Sequence, residues 1–218
     1  IYTYKDGSMV RFNPSNITNE DLDVPHDPDR HKIINYIYGY TYEEHPGGAP
    51  VAKRSWILGD IIHSEPRIID YLDSDGELKY RFIAVGANDG MLHVFTDRDC
   101  NIDLVDYTAG DEILAFIPED LLPRLKEFAS PDHTYMVDGS SSLFRAQTKT
   151  GGYFDKTLIF GERRGGRSYW ALDVTNPDPS NWTVKWHIQG GTGNFMELGY
   201  TWNKPYFAKI QTAASTYK

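Results

Sequence analysis

The grouping with the most metal-like spacing is Asp73-Ser74-Asp75-Gly76-Glu77, three carboxylates at alternate positions around a glycine. Alternating oxygen ligands around a glycine open a calcium loop of the EF-hand kind, which makes Asp73, Asp75 and Glu77 the candidate metal ligands. Such a loop needs a bidentate Glu at its twelfth position, and Ala84 stands there inside an apolar run. A hairpin turn ahead of Leu78 and Tyr80 accounts for the same residues and is the preferred reading. Asp60, His63 and Glu65 form a second group able to hold a metal or move a proton, with His63 and Glu65 on one face of a following strand. Flanked by Trp56, Ile57, Leu58, Ile61 and Ile62, they read more simply as structural groups bonding between sheets. His133, Asp138 and Ser140-Ser141-Ser142 supply the residue types of a hydrolase triad, but no Gly-x-Ser-x-Gly nucleophile elbow occurs. Arg163, Arg164 and Arg167 lie among glycines and can clasp an anion, although in an acidic chain they are expected to pair with carboxylates across a loop. No catalytic residue is expected.

The elements that would position these groups are hairpins. In residues 81–95, Phe82-Ile83-Ala84-Val85 runs into Gly86, Asn88-Asp89-Gly90 turns the chain, and Met91-Leu92-His93-Val94-Phe95 runs back. Asp-Gly between apolar runs is a strong hairpin signal because both residues tolerate the positive φ of a primed turn. Two weaker copies share the layout. One is Ile1-Tyr2-Thr3-Tyr4, Lys5-Asp6-Gly7 and Met9-Val10-Arg11-Phe12; the other is Thr157-Leu158-Ile159-Phe160, residues 161–166 and Ser168-Tyr169-Trp170-Ala171-Leu172. Recurring hairpins at intervals of tens of residues predict an all-β propeller with long insertions. Among the insertions, residues 31–40 form a short amphipathic segment that Gly39 can end, and residues 113–128 are broken by Pro118 and Pro123 into short turns. The alternation Tyr36, Tyr38, Tyr40, Tyr42 fits an aromatic strand face and a contact surface equally well.

A formal charge of -9 argues against a nucleic-acid binder and against adsorption to anionic membranes. Cys100 is the only cysteine, which excludes an internal disulfide framework and multi-cysteine metal sites in this chain. No apolar run reaches the roughly 18 residues of a membrane span. A strand-like start without Met and an end just after an apolar stretch lead us to expect an internal fragment.

Trp56-Ile57-Leu58-Gly59-Asp60-Ile61-Ile62-His63-Ser64-Glu65-Pro66 is followed in order by several further blocks. These are residues 85–95, Ala115-Phe116-Ile117-Pro118 with Leu121-Leu122-Pro123, His133 and Tyr135 with Val137-Asp138-Gly139, Gly165-Gly166-Arg167 with Ala171-Leu172-Asp173-Val174, and Leu198-Gly199-Tyr200-Thr201. This series resembles the C-terminal propeller of the PilC/PilY-type type IV pilus tip adhesins, from about Ile33 onward. The resemblance implies a modified seven-bladed, quinoprotein-like β-propeller. Residues 1–218 would be one partial propeller domain of three to four blades, truncated at both ends. It also implies a non-enzymatic scaffold or adhesin at the pilus tip, extracellular or at the outer membrane, with minor pilins and a host or abiotic surface ligand as partners. Twitching motility and pilus assembly would depend on it. Ala171-Leu172-Asp173 with Trp182 and Trp186 resembles a degenerate tryptophan-docking motif, whose tryptophans pack between blades. The family's calcium loop normally follows the Leu-Gly-Tyr-Thr block, so the main calcium site is expected beyond Lys218. The alternatives are a quinoprotein-like enzyme, disfavoured by the single cysteine, and a carbohydrate-binding propeller.

Overall fold

The computed structural model describes residues 1–42, 52–147, 154–208, 211–212 and 216–217. Its centre is two consecutive antiparallel meanders. The first contains β3 (Arg67–Leu72), β4 (Leu78–Gly86), β5 (Leu92–Thr96) and β8 (Glu112–Ile117), paired in chain order. A small hairpin, β6 (Cys100–Ile102) and β7 (Val105–Tyr107), is inserted between β5 and β8. The second meander is β9 (Ser142–Gln147), β10 (Phe154–Gly161), β11 (Ser168–Asp173) and β12 (Thr183–Gln189). Four strands paired in sequence order, twice over and packed against one another, are two blades of a partial propeller. The all-β expectation holds, and the sheets do not close into a ring.

All three hairpins read from the sequence form. In the first, β1 (Tyr2–Lys5) and β2 (Ser8–Arg11) meet at Asp6 and Gly7, with φ of 50° and 83°. Two positive φ values in a row make the primed turn that matches strand twist, and Asp-Gly adopts them at low cost. This hairpin does not begin a blade of its own. It joins the outer edge of the first blade, β1 running parallel to β8 with Tyr2 opposite Phe116, and the Thr3 hydroxyl donating to Ile117 O at 2.8 Å.

The helical insertions also follow local rules. Helix α1 (Asp27–Ile37) starts with Pro28 in its first turn, where a missing N–H costs nothing, and buries Ile33, Ile34 and Ile37. Gly39 ends it at φ +89°. The tyrosine alternation therefore lies on no strand face: Tyr36 is helical, Tyr38 caps the helix and Tyr40 makes one bridge to Lys53. After β8, Pro118 precedes a run of 3-10 turns, Glu119–Ala129, that contains Pro123 and buries Leu121, Leu122 and Leu125.

The blades meet through aromatic side chains. Phe116 of β8 stands edge-on to Phe160 of β10 at 6.2 Å and to Trp170 of β11 at 5.5 Å, and Tyr4 meets Trp170 at 5.7 Å. Edge-to-face geometry places the positive ring edge on the negative face of its neighbour, and each fully buried ring contributes about 1.5–3 kcal/mol through area alone. The tryptophan expectation is met in a different place. Trp170 packs between the two blades. Trp182 is buried and donates its indole N–H to Asn176 O at 2.7 Å, while Trp186 is 42% exposed. Strand register gives the reason. Trp170 pairs with His187 and Ala171 with Trp186, so Trp186 projects from the opposite face of the second blade.

Candidate functional site

Asp138 lies where the chain passes from the first blade to the second. Its side chain is wholly buried. His63 Nδ1 reaches both carboxylate oxygens, at 2.9 and 2.8 Å, and Arg163 Nη1 donates at 3.2 Å. The backbone around it is stitched to both blades: Val137 N donates to Ala87 O at 3.2 Å, and Asp138 N to Glu162 O at 3.3 Å. Such close approach dictates glycine on either side. A Cβ on Gly86 would sit 2.3 Å from Val137 O, and one on Gly139 would sit 2.1 Å from Gly161 O. The Gly in the Val85-Gly86-Ala87 block is thus fixed by backbone contact between blades.

Two hydroxyls repeat one device in successive blades. Ser64 Oγ accepts from Gly86 N at 2.8 Å, at the end of β4, and Thr201 Oγ1 accepts from Glu162 N at 2.9 Å, just after β10. Each caps a strand end whose N–H would otherwise lie buried without a partner, a loss of about 1–3 kcal/mol. Lys204 and Glu65 form an ion pair between the segment after the second blade and the segment before the first. Arg163 also lies over the Trp202 ring, at 5.2 Å from its centroid.

Asp89, from the central turn, sets a second charged centre beneath this rim. It accepts from Gly59 N at 2.7 Å and Met91 N at 3.2 Å, and it faces His93 Nε2 at 3.0 and 3.1 Å. Glu112 of β8 holds the other ring nitrogen, Nδ1. Burial alone would lower the imidazole's affinity for a proton. The charge and hydrogen bond of Asp89, joined by Glu112, outweigh it and push the His93 pKa up to about 10. His93 is therefore an imidazolium at neutral pH, tying the turn to β5 and β8.

The residues grouped by sequence proximity separate in space. Asp60 pairs with His133 at 2.7 Å, His63 with Asp138, and Glu65 with Lys204, in an irregular segment ahead of β3 instead of on a strand. His63 makes the kind of inter-blade bond expected of the group, while Asp60 and Glu65 pair with residues of the flanking irregular segments. The triad drawn from His133, Asp138 and Ser140–Ser142 does not assemble, because His133 belongs to Asp60 and Asp138 to His63 and Arg163. Ser140 Oγ bonds to the backbone of His63 and Glu65, and Ser142 Oγ to that of Pro205. The arginines find one carboxylate among them, Arg163 on Asp138. Arg164 lies over the Tyr135 ring at 4.4 Å, and Arg167 donates to Leu198 O at 2.8 Å and Met196 O at 3.3 Å. Asp73, Asp75 and Glu77 occupy the exposed β3–β4 turn, where Asp73 Oδ1 accepts from Asp75 N and Glu77 N, both at 2.9 Å, and Gly76 takes φ +83°. Among the described residues no three His, Cys, Asp or Glu side chains converge on a metal position. A further pairing had no signal in the sequence. Glu162, just after the second blade's β10, meets Asp120 of the first blade's 3-10 segment in a buried contact between acids.

The family described as the PilY1 beta-propeller domain matches this chain over residues 71–216, a span that takes in the second blade and the first from the end of β3 onward. A type IV pilus biogenesis factor PilY1 homolog of Xylella fastidiosa (strain Temecula1) is 31% identical over 212 residues, covering 84% of this chain and 13% of that protein. The type IV pilus biogenesis factor PilY1 of Pseudomonas aeruginosa (strain PAO1) is 31% identical over 216 residues, covering 84% of this chain and 17% of that protein. The chain thus spans less than a fifth of the length of these curated relatives. No solved structure matches it. Two sequential blades joined through the Val85-Gly86-Ala87 and Val137-Asp138-Gly139 blocks, together with these matches, place the chain in the PilY1 β-propeller family.

Proposed function

We propose that this chain is part of the propeller of a type IV pilus biogenesis factor, and that it works as a non-enzymatic scaffold outside the cell. Its place is the pilus tip, where it docks minor pilins and carries the adhesive parts of the longer protein, so that surface attachment and twitching depend on it. The observation that carries this reading is the match to the PilY1 propeller over residues 71–216. The use made of the polar groups supports it further: His63, Asp138 and Arg163 are consumed in joining the blades, and His93 and Glu112 in tying strands of the first blade.

The test is genetic. In a strain lacking the full-length protein, a copy carrying Trp170→Ala, which empties the blade interface, should fail to restore surface pili and twitching, whereas the unaltered copy restores both. Immunogold labelling of the unaltered protein should mark pilus ends. Normal piliation with an unfolded propeller, or turnover of alcohols by the purified protein with added quinone, would overturn the scaffold reading.

A further inference from the structure

The first blade's 3-10 segment, Glu119–Ala129, is pinned to the second blade's β10–β11 turn by an unusual contact. Glu162 is fully buried, and Asp120 faces it from the other blade. Each carboxylate has one oxygen satisfied by Ser168: the Ser168 hydroxyl donates to Asp120 Oδ2, and Ser168 N donates to Glu162 Oε2 at 3.2 Å. The remaining oxygens, Asp120 Oδ1 and Glu162 Oε1, are buried without a hydrogen-bond partner. Two ionised carboxylates bridged by one serine would repel in a low-dielectric interior, each with a buried oxygen that lacks a regular hydrogen bond.

The charged groups around the pair do not supply the missing donor. Arg124 is held by Glu127 at 3.1 Å, by Tyr135 O at 3.1 Å and by Gly165 O, and Arg163 by Asp138. Arg164 lies over Tyr135, and Arg167 is held by the carbonyls of Leu198 and Met196. On β12, His187 stacks on Trp170 at 4.7 Å, and Tyr4 of β1 closes on both rings. Glu119, next to Asp120, is acidic too; the buried Trp170 indole N–H makes no regular hydrogen bond, and its pull on Glu162 favours the ionised form but is outweighed by burial and by Asp120. The glycines complete the enclosure. A Cβ on Gly166 would fall 1.8 Å from Glu162 Oε2, and one on Gly165 would fall 1.6 Å from Met136 O, so the turn closes over the acid only with Gly165-Gly166.

We propose that Asp120 and Glu162 hold a single proton between their two free oxygens, and that this proton is the pin joining the two blades at this end. One carboxyl O–H then donates to the facing carboxylate, both orphaned oxygens are satisfied, and the pair carries one negative charge instead of two. Burial first, then the Asp120 charge and hydrogen bond, hold the Glu162 proton well above the ordinary carboxylate range. The sign follows from this. Unfolded, Glu162 gives up its proton near 4.5, and folded it keeps it, so the junction is firm below that pH and loosens progressively above it. The Arg-Arg-Gly-Gly turn thus becomes a pH-sensitive fastening, tighter in mildly acidic surroundings than in alkaline ones.

Hydrogen exchange of the full-length protein tests this locally, reading amides 119–129 and 161–168 from about pH 5 to about pH 8 after correction for intrinsic rates. Protection should fall with pH in the unaltered protein, by up to about tenfold per pH unit. In E162Q, which keeps a donor without a titrating proton, the profile should be flat. Infrared difference spectra of the unaltered protein against E162Q should show a protonated carboxylic acid at neutral pH. D120N, which removes the like charge but leaves Glu162 buried, should make the fall in protection level off at a lower pH, and it stands in if E162Q does not fold. Identical pH profiles in the unaltered protein and the variants would overturn the proposal. So would a stoichiometric metal ion that a chelator strips with loss of protection and that the variants no longer bind.

Discussion

The interface between the two blades has a dry aromatic floor and a polar rim, and the two hold by different means. On the floor, Phe116, Phe160 and Trp170 gain from area and ring geometry, with no requirement on charge. On the rim, Asp138, His63 and Arg163 gain only if every partner is present and in the right protonation state, and the same holds for Asp89, His93 and Glu112 inside the first blade beneath it. The floor should therefore carry most of the stability and be indifferent to pH. The rim should carry less, set the register of the blades, and respond to acid and base.

The largest effect should come from the floor. Trp170→Ala removes the ring shared by Phe116, Tyr4 and His187 and should cost about 3–5 kcal/mol of unfolding free energy in denaturant titrations. Trp186→Ala is the matched control, because that ring sits 42% exposed on the other face, and it should cost under about 1 kcal/mol. Equal losses would break the distinction between the two faces. On the rim, Asp138→Ala leaves His63 and Arg163 without their acceptor and should cost about 1.5–3 kcal/mol, the range for a hydrogen bond to a charged group. If the rim sets register, this variant should also raise exchange at the amides of Val137 and Asp138, which bond to Ala87 O and Glu162 O.

A smaller, graded effect follows from His93. Its folded pKa is raised from 6.5 to about 10, so its contribution is present in full below the unfolded value and is lost as pH rises through about 10. Histidine NMR titration should leave this ring protonated at neutral pH, and His93→Gln should remove the alkaline loss of stability. A ring that titrates near 6.5 would show that Asp89 and Glu112 do not hold it.

How much of this was legible beforehand depended on range in the chain. The Phe82–Phe95 hairpin and the Asp6-Gly7 turn were readable because the signal and the structure lie within a few residues of one another. The role of Gly86 was not, because its constraint is a carbonyl 51 positions away, at Val137. His63 was legible as a structural group from its apolar flanks, but its partner Asp138 belongs to the next blade's approach segment, and single-chain spacing carries no trace of that pairing. The choice of Trp170 over Trp186 turned on which face of the second blade meets the first, a matter of sheet register that the motif Ala171-Leu172-Asp173 leaves open. Asp120 and Glu162 are further still from legibility, since neither stands in a pattern that demands the other.

The weakest effect sharpens the comparison from outside the interface. The turn holding Asp73, Asp75 and Glu77 is exposed and belongs to neither floor nor rim, and its carboxylates have local work, Asp73 Oδ1 accepting two backbone N–H groups. Asp73→Ala should cost only about 0.5–1 kcal/mol, as loss of a side-chain-to-backbone turn bond does, and should leave the blade interface untouched. Calcium added to the protein should change the unaltered chain and Asp73→Ala alike. A calcium-dependent gain in stability that Asp73→Ala, Asp75→Ala and Glu77→Ala each abolish would make these carboxylates ion ligands after all. The β3–β4 turn would then join the rim as a second place where charge, and not area, decides how this propeller holds.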